Sequence, residues 1–249
     1  MTRPPNGLPA KVAQQLLQRI IAKEFPQGSV LPSERELQAT YSVSRPVARE
    51  AIKLLAARGI VTVYPRQGAM VGTDLTGAAS DALILAFQHE NAVQEDLLHA
   101  RMVLEPHIVA LAAQQATIMQ LRRLQQMRQP LEQLIAASEA QLADHFFEHW
   151  GFNDAQFHVL LAEMSQNPAF KILIDVLVGI LWKQRNHVVP MTTEHARRAA
   201  TQHLAIIDAV AAHDAEEARR CMVVHLEYTY THIMSQPNEL QNPVQVQME

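Results

Sequence analysis

Four side chains suited to metal chemistry lie on apolar helical stripes of this chain. Asp154 and His158 stand at i and i+4 in Phe152-Asn153-Asp154-Ala155-Gln156-Phe157-His158, so one helix face carries a carboxylate and an imidazole together. His203 belongs to the stripe His203, Ile206, Ile207, Val210, and His225 to the stripe Ala218, Met222, His225, Tyr228 of the following segment. A turn at His213-Asp214 folds these two segments antiparallel, which lets histidines distant in sequence meet at the centre of a helical bundle. One carboxylate and three imidazoles suit a divalent transition metal, Zn²⁺ or Ni²⁺, and leave coordination positions for water or a ligand. The same donors admit two other readings: a metalloenzyme that activates water, or core histidines that only hydrogen-bond within the packing of a chain with 12 His. No His-Glu-x-x-His run supports the enzyme, and no general base stands out beside the donors.

A second constellation is basic. Arg45, Arg49 and Lys53 fall at i, i+4 and i+8, one exposed face of a short helix. The elements that position it follow from pattern. Val12, Leu16, Leu17, Ile20 and Ile21 predict an amphipathic helix over 9–24, which Phe25-Pro26-Gln27-Gly28 ends. Ser33 with Glu36 forms a capping box for a helix over 34–40. After Tyr41-Ser42-Val43, Ser44 caps a third helix that buries Val47, Ala48, Ala51, Leu54 and Leu55 and ends at Gly59. Strands at 60–64 and 69–71, joined by Pro65-Arg66-Gln67-Gly68, complete a β-hairpin wing. Two short helices across a tight turn, the second with Arg near its open N-terminus, place side chains into a DNA major groove, where Arg matches guanine edges and phosphate.

Charge separates the two constellations. Residues 1–72 hold ten Lys or Arg against four Asp or Glu, and the remainder holds 11 against 21. A basic head on an acidic body is what arises when one part meets phosphate and the other does something else. The small, polar segment 73–80 marks the boundary, and helical periods follow it at 81–88, 93–115, 118–142, 146–164, 168–188, 192–212 and 215–234. Asp214 with Glu217 gives a second capping box. The fold class is therefore mainly α: a winged helix-turn-helix of three helices plus a hairpin over 1–75, an all-α bundle of six or seven helices over 76–235, and a polar, disordered tail over 236–249. Cys221 is the only cysteine, the N-terminus lacks a signal-peptide pattern, and the longest apolar run, 172–182, is interrupted by Asp175. A cytoplasmic protein without a membrane role is expected.

The head resembles a known family. Leu31-Pro32-Ser33-Glu34-Arg35-Glu36-Leu37, Val43-Ser44-Arg45, Arg49-Glu50-Ala51-Ile52 and Arg66-Gln67-Gly68-Ala69-Met70-Val71 are similar, in residues and spacing, to the N-terminal domain of the GntR regulators. That resemblance implies DNA contacts from Arg35, Ser44, Arg45 and Arg49, with Arg66, Gln67 and Gly68 approaching the minor groove. Pro46 departs from the pattern, because the family shows a Thr there and proline supplies no hydroxyl. The body resembles the FCD ligand-binding domain of the FadR subfamily through Arg101-Met102-Val103-Leu104-Glu105-Pro106, the Asp154/His158 pair before Asn167-Pro168, His203 with Ala209, and Asp214, Ala218, Met222 and His225. This implies a metal held by Asp154, His158, His203 and His225, and Arg101 pairing with a small organic acid that completes the coordination. Spacing alone equally allows an Arg101–Glu105 ion pair at i+4. Subfamily members that bind fatty acyl thioesters lack the His cluster, so its presence argues against that ligand class. The expectation is a homodimeric, ligand-responsive regulator, a repressor rather than an enzyme, bound to a palindromic operator.

Overall fold

The computed structural model describes residues 7–72, 76–90, 92–137, 145–188 and 192–235. The tail expected over 236–249 lies outside them. The chain separates into two compact units on either side of the 79/80 junction. Among the described residues it is almost wholly helical, with one two-stranded sheet.

In the first unit, α1 (Leu8–Ile21), α2 (Glu34–Tyr41) and α3 (Arg45–Ala56) surround a core of Val12, Leu16, Leu37, Ala48, Ala51 and Leu55. Helix α2 begins with the expected capping box: Ser33 Oγ accepts from the Glu36 amide, and the Glu36 carboxylate accepts from the Ser33 amide. Ser42, left-handed at φ 51°, closes α2 and turns the chain into α3. Ser44 sits at the N-cap of α3 with extended backbone, yet its side chain makes no capping hydrogen bond, contrary to expectation. A cap accepts from the second or third helical amide. Pro46 removes the second of these donors, and Ser44 does not bond the third, the Val47 amide, either.

Strands β1 (Val61–Tyr64) and β2 (Gly68–Val71) pair antiparallel, with Val61 opposite Val71 and Tyr64 opposite Gly68. Arg66 at φ 67° and Gly68 at φ 93° make the reversal at the tip. The base of the wing is pinned by the loop before α2, where the Gly28 amide donates to Val71 O, Val71 to Ser29 O and Leu31 to Ala69 O.

Helix α4 (Thr76–His89) spans the 79/80 junction, and the second unit holds α5 (Gln94–Gln115), α6 (Ile118–Gln126), α7 (Arg128–Ala136), α8 (His145–Met164), α9 (Pro168–Val188), α10 (Thr193–Ala211) and α11 (Ala215–Met234). Helix α5 is central and packs against α11 and α8, while α10 packs against α11 and α7. Two expectations are corrected. Helix α4 starts at Thr76, inside the small, polar stretch read as the boundary and ahead of the helix expected from 81, because Ala78 and Ala79 favour helix as much as they suit a loop. The single helix expected over 118–142 is two, broken at Met127. Pro130, in the first turn of α7, has no amide to bond the carbonyl four residues back, so a helix continuous through 127 would lose a rung there. Residues 138–142 of that expected helix lie outside the described residues.

Candidate metal centre and nucleic-acid interface

Helices α8, α10 and α11 bring the four predicted donors together. One ligand atom from each of Asp154, His158, His203 and His225 lies within 4.8 Å of all the others. His203 Nε2 stands 3.3 Å from His225 Nε2 and 3.5 Å from Asp154 Oδ1. The three imidazoles are buried and Asp154 is partly exposed. The Phe157 ring stacks on the face of His203, 4.1 Å between centroids. The antiparallel α10–α11 pair behind this follows from the left-handed turn at His213, whose ring nitrogen also bonds the Ala113 carbonyl of α5.

Two further side chains orient the rings. Glu105 on α5 accepts from His158 Nδ1, and Gln202 Oε1 on α10 accepts from His225 Nδ1 at 3.2 Å. With hydrogens on those Nδ1 atoms, each Nε2 turns a lone pair inward. His158 Nε2 is buried with no hydrogen-bond partner, a polar atom that a metal would satisfy. Burial holds the His203 imidazole down to about 3 against the opposing pull of Asp154, and pushes His225 well below its ordinary value, helped by the neighbouring His203, His158 and Arg101. Both rings are therefore neutral near pH 7, the form that ligates metal. The donor set, with His203 and His225 neutral, fits a divalent transition ion.

Arg101 sits buried on α5 beside this cluster, and its Nε donates to Glu105, so the i+4 ion pair that spacing allowed is formed. Its Nη2 is nevertheless buried without a partner. Burial alone would raise the Glu105 carboxyl, but Arg101 and His158 outweigh it and bring the group down to about 2, so it is ionised. Sequence reasoning found Glu105 only as an ion-pair partner and missed Gln202. Gln202 precedes His203 in the chain but serves His225 on the next helix, a pairing that no local spacing reveals.

In the first unit Arg35, Ser44, Arg45, Arg49, Arg66, Gln67 and Gly68 are all exposed. Arg35 lies on α2, Ser44, Arg45 and Arg49 at the start of α3, and the other three at the hairpin tip. The residue missed here is Glu34. Its carboxylate accepts from Arg45 Nε at 2.8 Å and from Arg49 Nε at 2.8 Å and Nη2 at 3.1 Å, which tethers the two arginines to α2. Those bonds, Arg49 first and then Arg45, lower the Glu34 carboxyl to about 2. Helix α3 thus shows a pair of arginines on a common anchor at its exposed N-terminal face.

Comparison with known proteins agrees with this division. Residues 8–71 match the family of bacterial regulatory proteins of the gntR type, and residues 96–228 match the FCD domain. The HTH-type transcriptional repressor NanR of Cronobacter sakazakii is 32% identical over 228 residues, 88% of this chain and 82% of its own. NanR of Escherichia coli K12 is 32% identical over 224 residues, 86% of this chain and 80% of its own. Among solved structures, a Streptococcus agalactiae GntR protein superposes with a TM-score of 0.74 at 25% identity, over 90% of this chain and 99% of that one. No described helix is long and apolar enough to cross a membrane. Head and body together place the chain in the GntR family, as a DNA-binding transcriptional regulator with an FCD domain and not an enzyme.

Proposed function

We propose that this regulator is a homodimeric repressor whose operator binding is controlled by a small carboxylate held at a metal centre. Residues 1–75 form the DNA-binding domain and 76–235 the ligand-binding and dimerisation domain. Asp154, His158, His203 and His225 hold Zn²⁺ or Ni²⁺, which supplies a Lewis-acidic anchor for an oxyanion when bound. The buried, unpartnered Arg101 Nη2 beside four converging donors carries this reading. A buried guanidinium with a free donor wants an acceptor, and an organic acid supplies one to Arg101 and another to the metal. The repressor assignment is supported by the names of the relatives at 32% identity. Arg35, Ser44, Arg45 and Arg49 contact the major groove, and Arg66, Gln67 and Gly68 the minor groove. Two-fold protein symmetry requires a palindromic operator. The effector acts by binding the DNA-free state better than the DNA-bound one.

The test is a gel-shift titration on the promoter DNA adjoining the gene, combined with a thermal-shift panel of small carboxylates on the metal-loaded protein. Arg45→Ala and Arg49→Ala should each abolish the specific shift. One carboxylate should raise the melting temperature and release the DNA. Retention of specific binding by both variants would contradict the interface, and a panel without any effect would contradict the effector class.

A further inference from the structure

Two buried donors of the second unit meet on one buried carboxylate. Glu105 is 2% exposed, and its two oxygens are divided between two donors: Oε1 accepts from Arg101 Nε, and Oε2 from His158 Nδ1. Each donor then presents one more buried nitrogen without a hydrogen-bond partner, Nη2 of Arg101 and Nε2 of His158. We infer that Glu105 is a positioning residue that joins the metal centre and the anion subsite into one mechanical unit, fixing His158 as a ligand and aiming Arg101 with the same side chain. The inference rests on the metal-centre reading above and extends it to how the two subsites communicate.

The geometry gives the residue type its reason. An imidazole with Nδ1–H held by a carboxylate is locked in the tautomer and ring orientation that leave Nε2 to coordinate. A guanidinium with Nε occupied keeps its outer face for a second acceptor. Glutamine offers one acceptor oxygen where two donors wait, and its amide hydrogens would face the other donor. Aspartate keeps the charge but is one methylene shorter, too short to reach Arg101 on its own helix and His158 on α8 at once. Because Arg101 and Glu105 lie on α5 and His158 on α8, a shift in one subsite is passed through Glu105 to the other. Metal affinity and anion affinity should then rise and fall together, as reciprocal coupling requires.

The test uses the full-length chain with zinc alone, titrated against a chromophoric chelator, and the visible spectrum of the cobalt-loaded protein as a report on ligand geometry. Glu105→Gln should weaken zinc binding by about 10- to 100-fold and shift the cobalt bands. Arg101→Met, which alters no metal donor, should also change zinc affinity, and the double variant should depart from the product of the single effects. Should Glu105→Gln lose its helical circular dichroism, Glu105→Asp keeps the charge and should show the same weakening. Parent-like zinc affinity and cobalt spectrum in a folded Glu105 variant would overturn the inference while leaving the metal centre standing. Strictly multiplicative effects of the Arg101 and Glu105 changes would overturn the coupling. A parent chain that binds no zinc would remove both this inference and the metal reading.

Discussion

At the scale of single residues, the second unit concentrates uncommon chemistry in a small volume: three buried imidazoles, a partly exposed carboxylate and a buried Arg–Glu pair. Buried titratable groups couple stability to pH. The His203 imidazole falls from 6.5 in the unfolded chain to about 3 in the fold. As pH drops from 6.5 towards 3, the unfolded state takes up a proton that the folded state refuses, so stability is lost across that window and is complete above it. Urea denaturation of the metal-free protein should therefore show the second unit weakening steadily below about pH 6.5. A stability flat from pH 7 to 4 would show that His203 is solvated. Glu34 behaves with the opposite charge type. Its carboxyl, lowered from 4.5 to about 2, keeps Arg45 and Arg49 tethered throughout the neutral range and releases them only in strong acid.

At the scale of elements, the helix-turn-helix depends on a short helix with little else to hold it. Helix α2 has eight residues, one buried side chain, Leu37, and a complete capping box. Leu37→Ala should cost about 2–5 kcal/mol through lost packing and a residual cavity. Ser33→Ala should cost about 1 kcal/mol through the lost cap. Both losses should appear as a lower melting transition of the first unit, followed by circular dichroism, and equal losses would mean that Leu37 is not the anchor. The head was legible in sequence because its signals are local: Ser33 and Glu36 sit three apart, Leu31 to Leu37 read as one motif, and a glycine follows the wing turn. The donors were legible because Asp154 and His158 share a helix face and the His213 turn pairs α10 with α11. What escaped depends on contacts between elements. Glu34 meets Arg49 across 15 positions, Glu105 meets His158 across 53, and Gln202 meets His225 across 23. No periodicity encodes such distances. The break at Met127 escaped because Pro130 competes with an apolar pattern that runs on through Leu131 and Leu134.

At the scale of the whole molecule, the sequence divides its charge as it divides its labour, with a basic first unit and an acidic second. Operator affinity should fall steeply as salt rises, because phosphate contacts release counterions. Arg49→Ala should make that dependence shallower by about one unit of slope as well as weakening binding. An unchanged slope in fluorescence anisotropy would place Arg49 on a base edge alone or away from DNA. The proposed control of the head rests on a metal held by Asp154, His158, His203 and His225. Metal analysis of the full-length protein, purified without chelator, tests this most directly. Stoichiometric zinc or nickel is expected in the parent, lost in His203→Ala and His225→Ala while both variants stay folded. Absence of metal from the parent after loading, or full retention in both variants, would contradict it.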